Sequence, residues 1–347
     1  MQVLTKIGFK NLKTVNVGEL ISDENGEFKP LLDIIEQKIN FYYKVTLSDK
    51  FSFICSEKTI IPTRTEVSKN NEGVDYLYIE EILKDFKSDT RYKYTTLINK
   101  AINFDKKDLL IPPYMMGMLL GDGSFRDSTI RYTSNDLFLI DKMEEMLKIN
   151  FPTCNIKKVT NTKYDYRIAK NKEESKGKTP IRLALEFYNL ADKLSKNKHI
   201  PKDYLYSSIE DRIELFQGLI DTDGTIGVGD GCVSYSTSSK ELSNDFTFLC
   251  KSLGARVWVN TKKSYYRDKD GKKANGLLSY RTNIILPPNI IPCKLQRKLD
   301  NYNPSFKNLQ KWIINIEKIE ENVYFYKPII DSDNQLYISD NFIILHN

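Results

Sequence analysis

The chain has 347 residues, enough for two or more domains with cores of their own. Hydrophobic residues make up 40% and charged residues 28%, a globular balance, and no stretch approaches the ~18 apolar residues of a membrane span. The net charge of +6 is too mild to name a partner by itself, so the placement of the charges matters more. The N-terminus, with polar residues interspersed through Lys13, has no signal-peptide core. Cys55, Cys154, Cys232, Cys250 and Cys293 lie far apart with no CxxC pair, which argues against a disulfide framework or zinc site and for a reducing cytoplasm. The 21 tyrosines, interleaved with lysine, suit strands facing a phosphate backbone, and equally the codon bias of an AT-rich genome.

Residues 1 to about 105 carry short strand signals: "MQVLTKIGFKNLKTVNVGEL" with a turn at Ile7-Gly8, and "FYYKVTLSDKFSFICS" with a turn at Ser48-Asp49. From Met116 comes "MGMLLGDGSF", a helix running into Asp122-Gly123. Next, Ile130–Asn150 gives a short strand with a tyrosine and an amphipathic helix. Leu139, Ile140, Met143 and Leu147 share one face of that helix, and Asn135 or Asp136 is its cap. A basic strand pair follows, with nine Lys/Arg against four Asp/Glu between Asn155 and Phe187, among them Lys157, Lys158, Lys163 and Arg167. After "NKHIP" (Asn197–Pro201), the order returns: "QGLIDTDGTI" from Gln217, strand and helix over Val233–Asn260, then eight Lys/Arg against two Asp/Glu between Arg256 and Arg281, including Lys262, Lys263 and Arg267. "CKLQRKL" closes the second copy. The C-terminal part adds "NVYFYKPII", a turn at Asp331–Asn334, and "LYISDNFIILHN", in which Phe342 to Leu345 reads as a buried strand before His346 and Asn347.

The two copies align as Gly-apolar-apolar-x-x-Asp-Gly, which puts Asp122 and Asp223 in register and Gly117 and Gly218 at mid-helix. A mid-helix glycine costs about 1 kcal/mol relative to alanine, a cost explained if two helix backbones must meet there. Such a seam brings both helix C-termini together, and two carboxylates at one seam are what a shared divalent cation needs. The two basic ribbons, in equivalent places, would cover adjacent turns of a duplex, binding phosphates and reading major-groove edges.

The paired motifs resemble those of single-chain LAGLIDADG homing endonucleases, from about Lys107 to Lys307. The resemblance implies an α+β fold of duplicated αββαββα units related by a pseudo-twofold axis. Its sheets saddle a long asymmetric double-stranded DNA site, as a monomer, with Asp122 and Asp223 binding Mg²⁺ at the seam. It also implies a catalytic lysine at Lys198 in "NKHIP", and a second at Lys294 or Lys298 in "CKLQRKL".

The flanking segments, 1–105 and 308–347, resemble the halves of a Hint-type intein, an all-β splicing domain interrupted by the endonuclease at 106–307. In that family the final residue is Asn preceded by His. This implies that the Asn347 side-chain amide attacks its own backbone carbonyl while His346 assists by proton transfer, releasing the following extein. An intein opens on Cys or Ser, whereas this chain opens on Met1. The expected arrangement is therefore the C-terminal part of an atypically split phage intein, completed by a short separate N-terminal piece, or one trimmed at its start. The Thr-x-x-His block is absent near Cys55–Thr59. The expected partners are DNA and host-protein exteins, in the cytoplasm of a phage or microbial host cell, with no membrane. Against this stand a free-standing endonuclease or maturase and an inactive DNA-binding derivative, neither of which splices.

Overall fold

A computed structural model describes residues 1–65, 73–89, 91–127, 129–171, 177–228, 232–267, 271–303 and 309–346. The chain divides into two compact units. One gathers Met1–Asp105, Lys251–Trp258 and Asn308–Asn347; the other gathers Lys106–Cys250 and Val259–Lys307.

The first unit is built on an 11-stranded sheet whose described pairings are all antiparallel. Its longest ribbon joins Phe28–Leu47 to Lys311–Ile330, paired from Leu31↔Ile330 to Leu47↔Ile313 with register shifts at Ile313/Asn315, Glu320/Val323 and Ile329/Ile330. Near its end the ribbon alternates strictly, with Tyr43, Val45 and Leu47 buried and Lys44 exposed, as a half-buried strand must. The turn signals fold as hairpins. Thr5 Oγ1 donates to the Gly8 carbonyl at 2.7 Å. Asp49 Oδ1 accepts from Phe51 N at 3.1 Å beside the left-handed Lys50. Ile343–His346 is a strand paired with Leu336–Ser339, which also meets Val3, while His346 lies across from Ile60. Segments from both ends of the sequence therefore share one core: Val3, Ile21, Val45, Ile61, Ile313, Tyr337, Ile343 and Leu345 belong to one buried cluster.

The expectation of an all-β unit needs correction. Ile79–Asp85 forms a helix, with Ile79 and Ile82 buried one turn apart and Glu81 accepting from the Tyr78 N–H at 2.8 Å. That short i, i+3 pattern and its capping glutamate outweigh the surrounding strand signal.

The second unit shows the duplication directly. Two four-stranded antiparallel sheets have the same order. One runs Gly123–Ser124, Ile130–Thr133, Asp165–Lys170, Cys154–Lys158; the other runs Gly224–Ile226, Val233–Thr237, Lys273–Ile285, Arg256–Arg267. Each sheet follows a motif helix, Pro113–Asp122 or Ile209–Asp223. The first starts with proline at its first position, and the second is capped by Ser208, whose side chain accepts from Asp211 N. Leu137–Asn150 buries the expected face (Leu139, Ile140, Met143, Leu147), and Asp136 caps it.

The motif helices meet at their glycines. A Cβ on Gly117 would lie 2.4 Å from the Leu215 carbonyl oxygen and 2.9 Å from the Gly218 Cα. One on Gly218 would lie 2.3 Å from the Tyr114 carbonyl oxygen. Any side chain there would hold the backbones apart, so the glycines set the distance between the two helix C-termini.

Candidate active site

Asp122 and Asp223 are the last residues of the two motif helices. Among the described residues, no hydrogen-bond donor engages either carboxylate. Burial pushes the Asp122 carboxyl up to about 7, and the negative charge of Asp223 adds to the rise; Lys198 and Lys298 pull it back down. Asp223 retains an exposed surface, yet the protein packed around it also raises its pKa, again against the two lysines. Two carboxylates that repel each other without a bonded partner suit an oxygen-seeking divalent cation. No group of three or more His, Cys, Asp or Glu side chains stands together among the described residues. The pair would therefore leave most coordination positions to water and phosphate oxygens, as Mg²⁺ prefers.

Both lysines lie beneath the acids in matching cages. Lys198 Nζ donates to the carbonyls of Leu119 (3.3 Å), Leu120 (2.8 Å), Gly121 (3.4 Å) and Gly123 (2.7 Å). Lys298 Nζ donates to Ile220 (2.5 Å), Asp221 (2.8 Å), Thr222 (3.4 Å) and Gly224 (2.8 Å). Each ammonium thus sits on the last carbonyls of one motif helix, at the negative end of its dipole. Burial lowers the Lys198 pKa to about 8, while the two aspartates resist the fall; burial likewise lowers Lys298. Of the two candidates in "CKLQRKL", Lys298 has the position equivalent to Lys198. Lys294 instead pairs with Glu214 at 3.2 Å and lies over the Tyr114 ring.

Several residues here carry no sequence signal of function. Asp221, fully buried, accepts from Tyr114 OH (2.7 Å) and from the backbone N–H groups of Lys294 (2.9 Å) and Leu295 (3.0 Å). Ser239 Oγ donates to the Lys198 carbonyl at 2.6 Å, and Asp245 accepts from Ile200 N at 2.9 Å. Tyr132 and Tyr235, the strand tyrosines of the two copies, are buried across from Gly123 and Gly224. Burial and the nearby motif acids push both phenols above their usual range.

Sheet register sorts the basic residues. Ser124, Arg131, Arg167 and Lys157 line up across the four strands of the first sheet, all exposed. The adjacent row, Gly123, Tyr132, Tyr166 and Lys158, begins in the core, so Lys158 points to the opposite face from Lys157. Lys163 is exposed in the connecting turn. Lys262 and Lys263 are exposed on Arg256–Arg267 and, as neighbours on a pleat, face opposite ways. The side chain of Arg267 lies outside the described residues. In the first unit His346 stacks edge-on to Tyr76 at 5.2 Å, and Asn347 lies outside the described residues.

Residues 210–285 match the LAGLIDADG-like domain family. Over 186 residues the chain is 27% identical to a replicative DNA helicase DnaB of Mycobacterium intracellulare, covering 54% of this chain and 26% of that protein. The chain thus spans about a quarter of the curated relative it matches. Similar solved structures include mesophilic variants of the homing endonuclease I-DmoI (16% identity, TM-score 0.32, 50% of this chain and 82% of that one). I-DmoI with DNA and Mn is another (16%, TM-score 0.31, 50% and 89%). A third is the gp41-1 intein (25%, TM-score 0.20, 28% and 72%).

Proposed function

We propose that this chain is a site-specific, Mg²⁺-dependent DNA endonuclease carried within a self-splicing protein element. The observation that carries the nuclease reading is the doubled site: two acids at one helix seam, without hydrogen-bond partners among the described residues, and a caged lysine on the last carbonyls of each motif helix, within a unit whose second half matches a LAGLIDADG-like domain. Asp122 and Asp223 are the residues that would hold Mg²⁺, and the chemistry the ion would supply there is polarisation of a scissile phosphate and a more acidic bound water. The chain's own contribution is positional. Gly117 and Gly218 let the acids converge, while Lys198 and Lys298 offset the negative helix ends and part of the charge on the acids. The exposed row Lys157–Arg167–Arg131 offers cations to phosphates along one sheet.

The splicing reading rests on the first unit, where the segment ending in His346 is built into the sheet among strands from the start of the sequence. In this reading the Asn347 side-chain nitrogen attacks its own backbone carbonyl carbon. A succinimide ring closes, the peptide bond to the next residue breaks, and a proton passes to the departing amine with help from His346. A match to a quarter of a replicative helicase is what an element inserted in a host protein would give.

The nuclease test is cleavage of a random-sequence plasmid library. The wild type should select cut sites only with a divalent cation, and Asp122→Asn or Asp223→Asn should abolish double-strand cutting while leaving binding largely intact. Full cutting by either variant would remove the assignment. For splicing, a tag fused after Asn347, with an N-terminal piece bearing a Cys supplied, should be released by the wild type and retained by Asn347→Ala. His346→Ala should slow release by roughly 10²–10⁴-fold. Release at an unchanged rate from Asn347→Ala would mean ordinary proteolysis.

A further inference from the structure

The lysine cages match, but the supports beneath them do not. Lys298 is carried on the short turn Gln296–Leu299, and the N–H groups just before it, from Lys294 and Leu295, both end on the carboxylate of Asp221. Asp221 is part of the second motif helix, whose final carbonyls Lys298 cages. Tyr114, from the first motif helix, adds a third donor to the same carboxylate. One buried side chain thus fixes the Lys298 turn to the helix it serves. In the first repeat the equivalent position is Leu120, whose side chain can accept nothing. The Lys198 segment is held from elsewhere, by Ser239 and Asp245 at the start and middle of helix Lys240–Ser252 in the opposite repeat.

We infer that Asp221 is a positioning residue for Lys298 alone and Asp245 one for Lys198 alone, so that the cuts in the two strands of a duplex have separate supports. This rests on the nuclease reading above. A two-stranded cut needs both sites, and each lysine sits on the helix end that carries one acid. Loosening one support moves one ammonium relative to one acid and leaves the other site as built. Two of the three donors on the Asp221 carboxylate come from the segment that carries Lys298, and Asp221 itself is fully buried.

The experiment uses the full chain and a duplex selected by wild-type cleavage from the random-sequence library, end-labelled on one strand or the other. Asp221→Asn keeps the side chain's shape but turns one acceptor into a donor facing donors. It should slow cleavage of a single strand by about 10²-fold, the scale of a misplaced catalytic group, and leave plasmid as nicked circle. Lys298→Met should nick with the same strand preference. Tyr114→Phe, which removes one of the three donors, should show that preference more weakly. Asp245→Asn should spare the strand that Asp221→Asn slows and slow the other. Equal slowing of both strands by Asp221→Asn, with unchanged melting, would overturn the inference, as would the same preferred strand for Asp221→Asn and Asp245→Asn. If Asp221→Asn does not fold, Tyr114→Phe against Asp245→Asn decides by the same criterion. A wild-type chain that cuts nothing in the library would overturn the nuclease reading itself, a result distinct from equal loss on both strands.

Discussion

The two repeats of the second unit agree in backbone and disagree in side chains. Sheet order, glycine contact, terminal acid and caged lysine recur in both. The groups that hold the lysine segments do not recur, nor do the outward rows of the sheets. The first sheet presents Lys157, Arg167 and Arg131 in one row. On the corresponding face of the second, Thr225 is exposed but its row neighbours Ser234 and Asn283 are buried, and the next row on that face exposes Ser236 and Arg281. What is shared is what chemistry on two similar phosphodiesters requires. What differs is what an asymmetric duplex would require. The largest test of the shared part is the lysine pair. Lys198→Met and Lys298→Met should each lower cleavage by about 10²–10³-fold, the usual loss for one preorganised electrostatic group. A large loss for one and none for the other would mean that the cages are alike in shape only.

The seam is next. Alanine in place of a helical glycine gains about 1 kcal/mol of propensity, but here its Cβ would meet a backbone carbonyl that cannot rotate away. Overpacking of that kind costs about 3 kcal/mol, so Gly117→Ala and Gly218→Ala should each lose about 2 kcal/mol in thermal or denaturant unfolding. Because the contact is reciprocal, the two losses should be similar. A neutral Gly218→Ala beside a costly Gly117→Ala would show that only one helix sets the approach.

How much of this was legible in the sequence differs by residue. The glycines and acids stood out because a pattern repeated at fixed spacing rarely arises by chance. Lys198 and Lys298 were harder: their partners are backbone carbonyls, which every residue owns, so nothing in the sequence marks the cage. Asp221 was hidden for a related reason. It lies two residues before a motif acid, and only the fold shows that Lys294 and Leu295 come back to it. Lys157 and Lys158 look interchangeable in sequence, and strand register alone separates their faces. In the first unit the hairpin turns were readable from their local chemistry. The helix Ile79–Asp85 was not, because seven residues give too short a period to stand out from strands.

The acids also predict a pH dependence. The Asp122 carboxyl stands at about 7 in the folded chain against an ordinary value of 3.8, so between those limits the folded state binds more protons than the unfolded one. The sign follows: without divalent cation, stability is greatest below about pH 4 as far as this group is concerned. It falls as pH rises to about 7, then levels off. Asp122→Asn should flatten that decline, and added Mg²⁺ should oppose it by binding the ionised pair. A metal-free stability curve that rises through this window and is unchanged by Asp122→Asn would contradict the burial of the Asp122 carboxyl beside Asp223.

The smallest effect concerns the two outward faces. If the row Lys157–Arg167–Arg131 lies along phosphates, replacing Arg131 with Gln should weaken binding about equally for all sequences. It should also reduce the slope of log affinity against log salt by about 1, the loss of one counterion released. Thr225 occupies the corresponding place on the second sheet, is exposed, and carries a hydroxyl but no charge. Thr225→Val keeps the shape and removes the hydroxyl, so it should leave the salt slope alone and alter preference at one or two base positions by about 1 kcal/mol or less. Both are read by titrating labelled duplexes at several salt concentrations, with single-base variants of the selected site for Thr225. A lower slope for Thr225→Val, or altered base preference for Arg131→Gln, would mean that the two sheets do not divide the work between backbone and base.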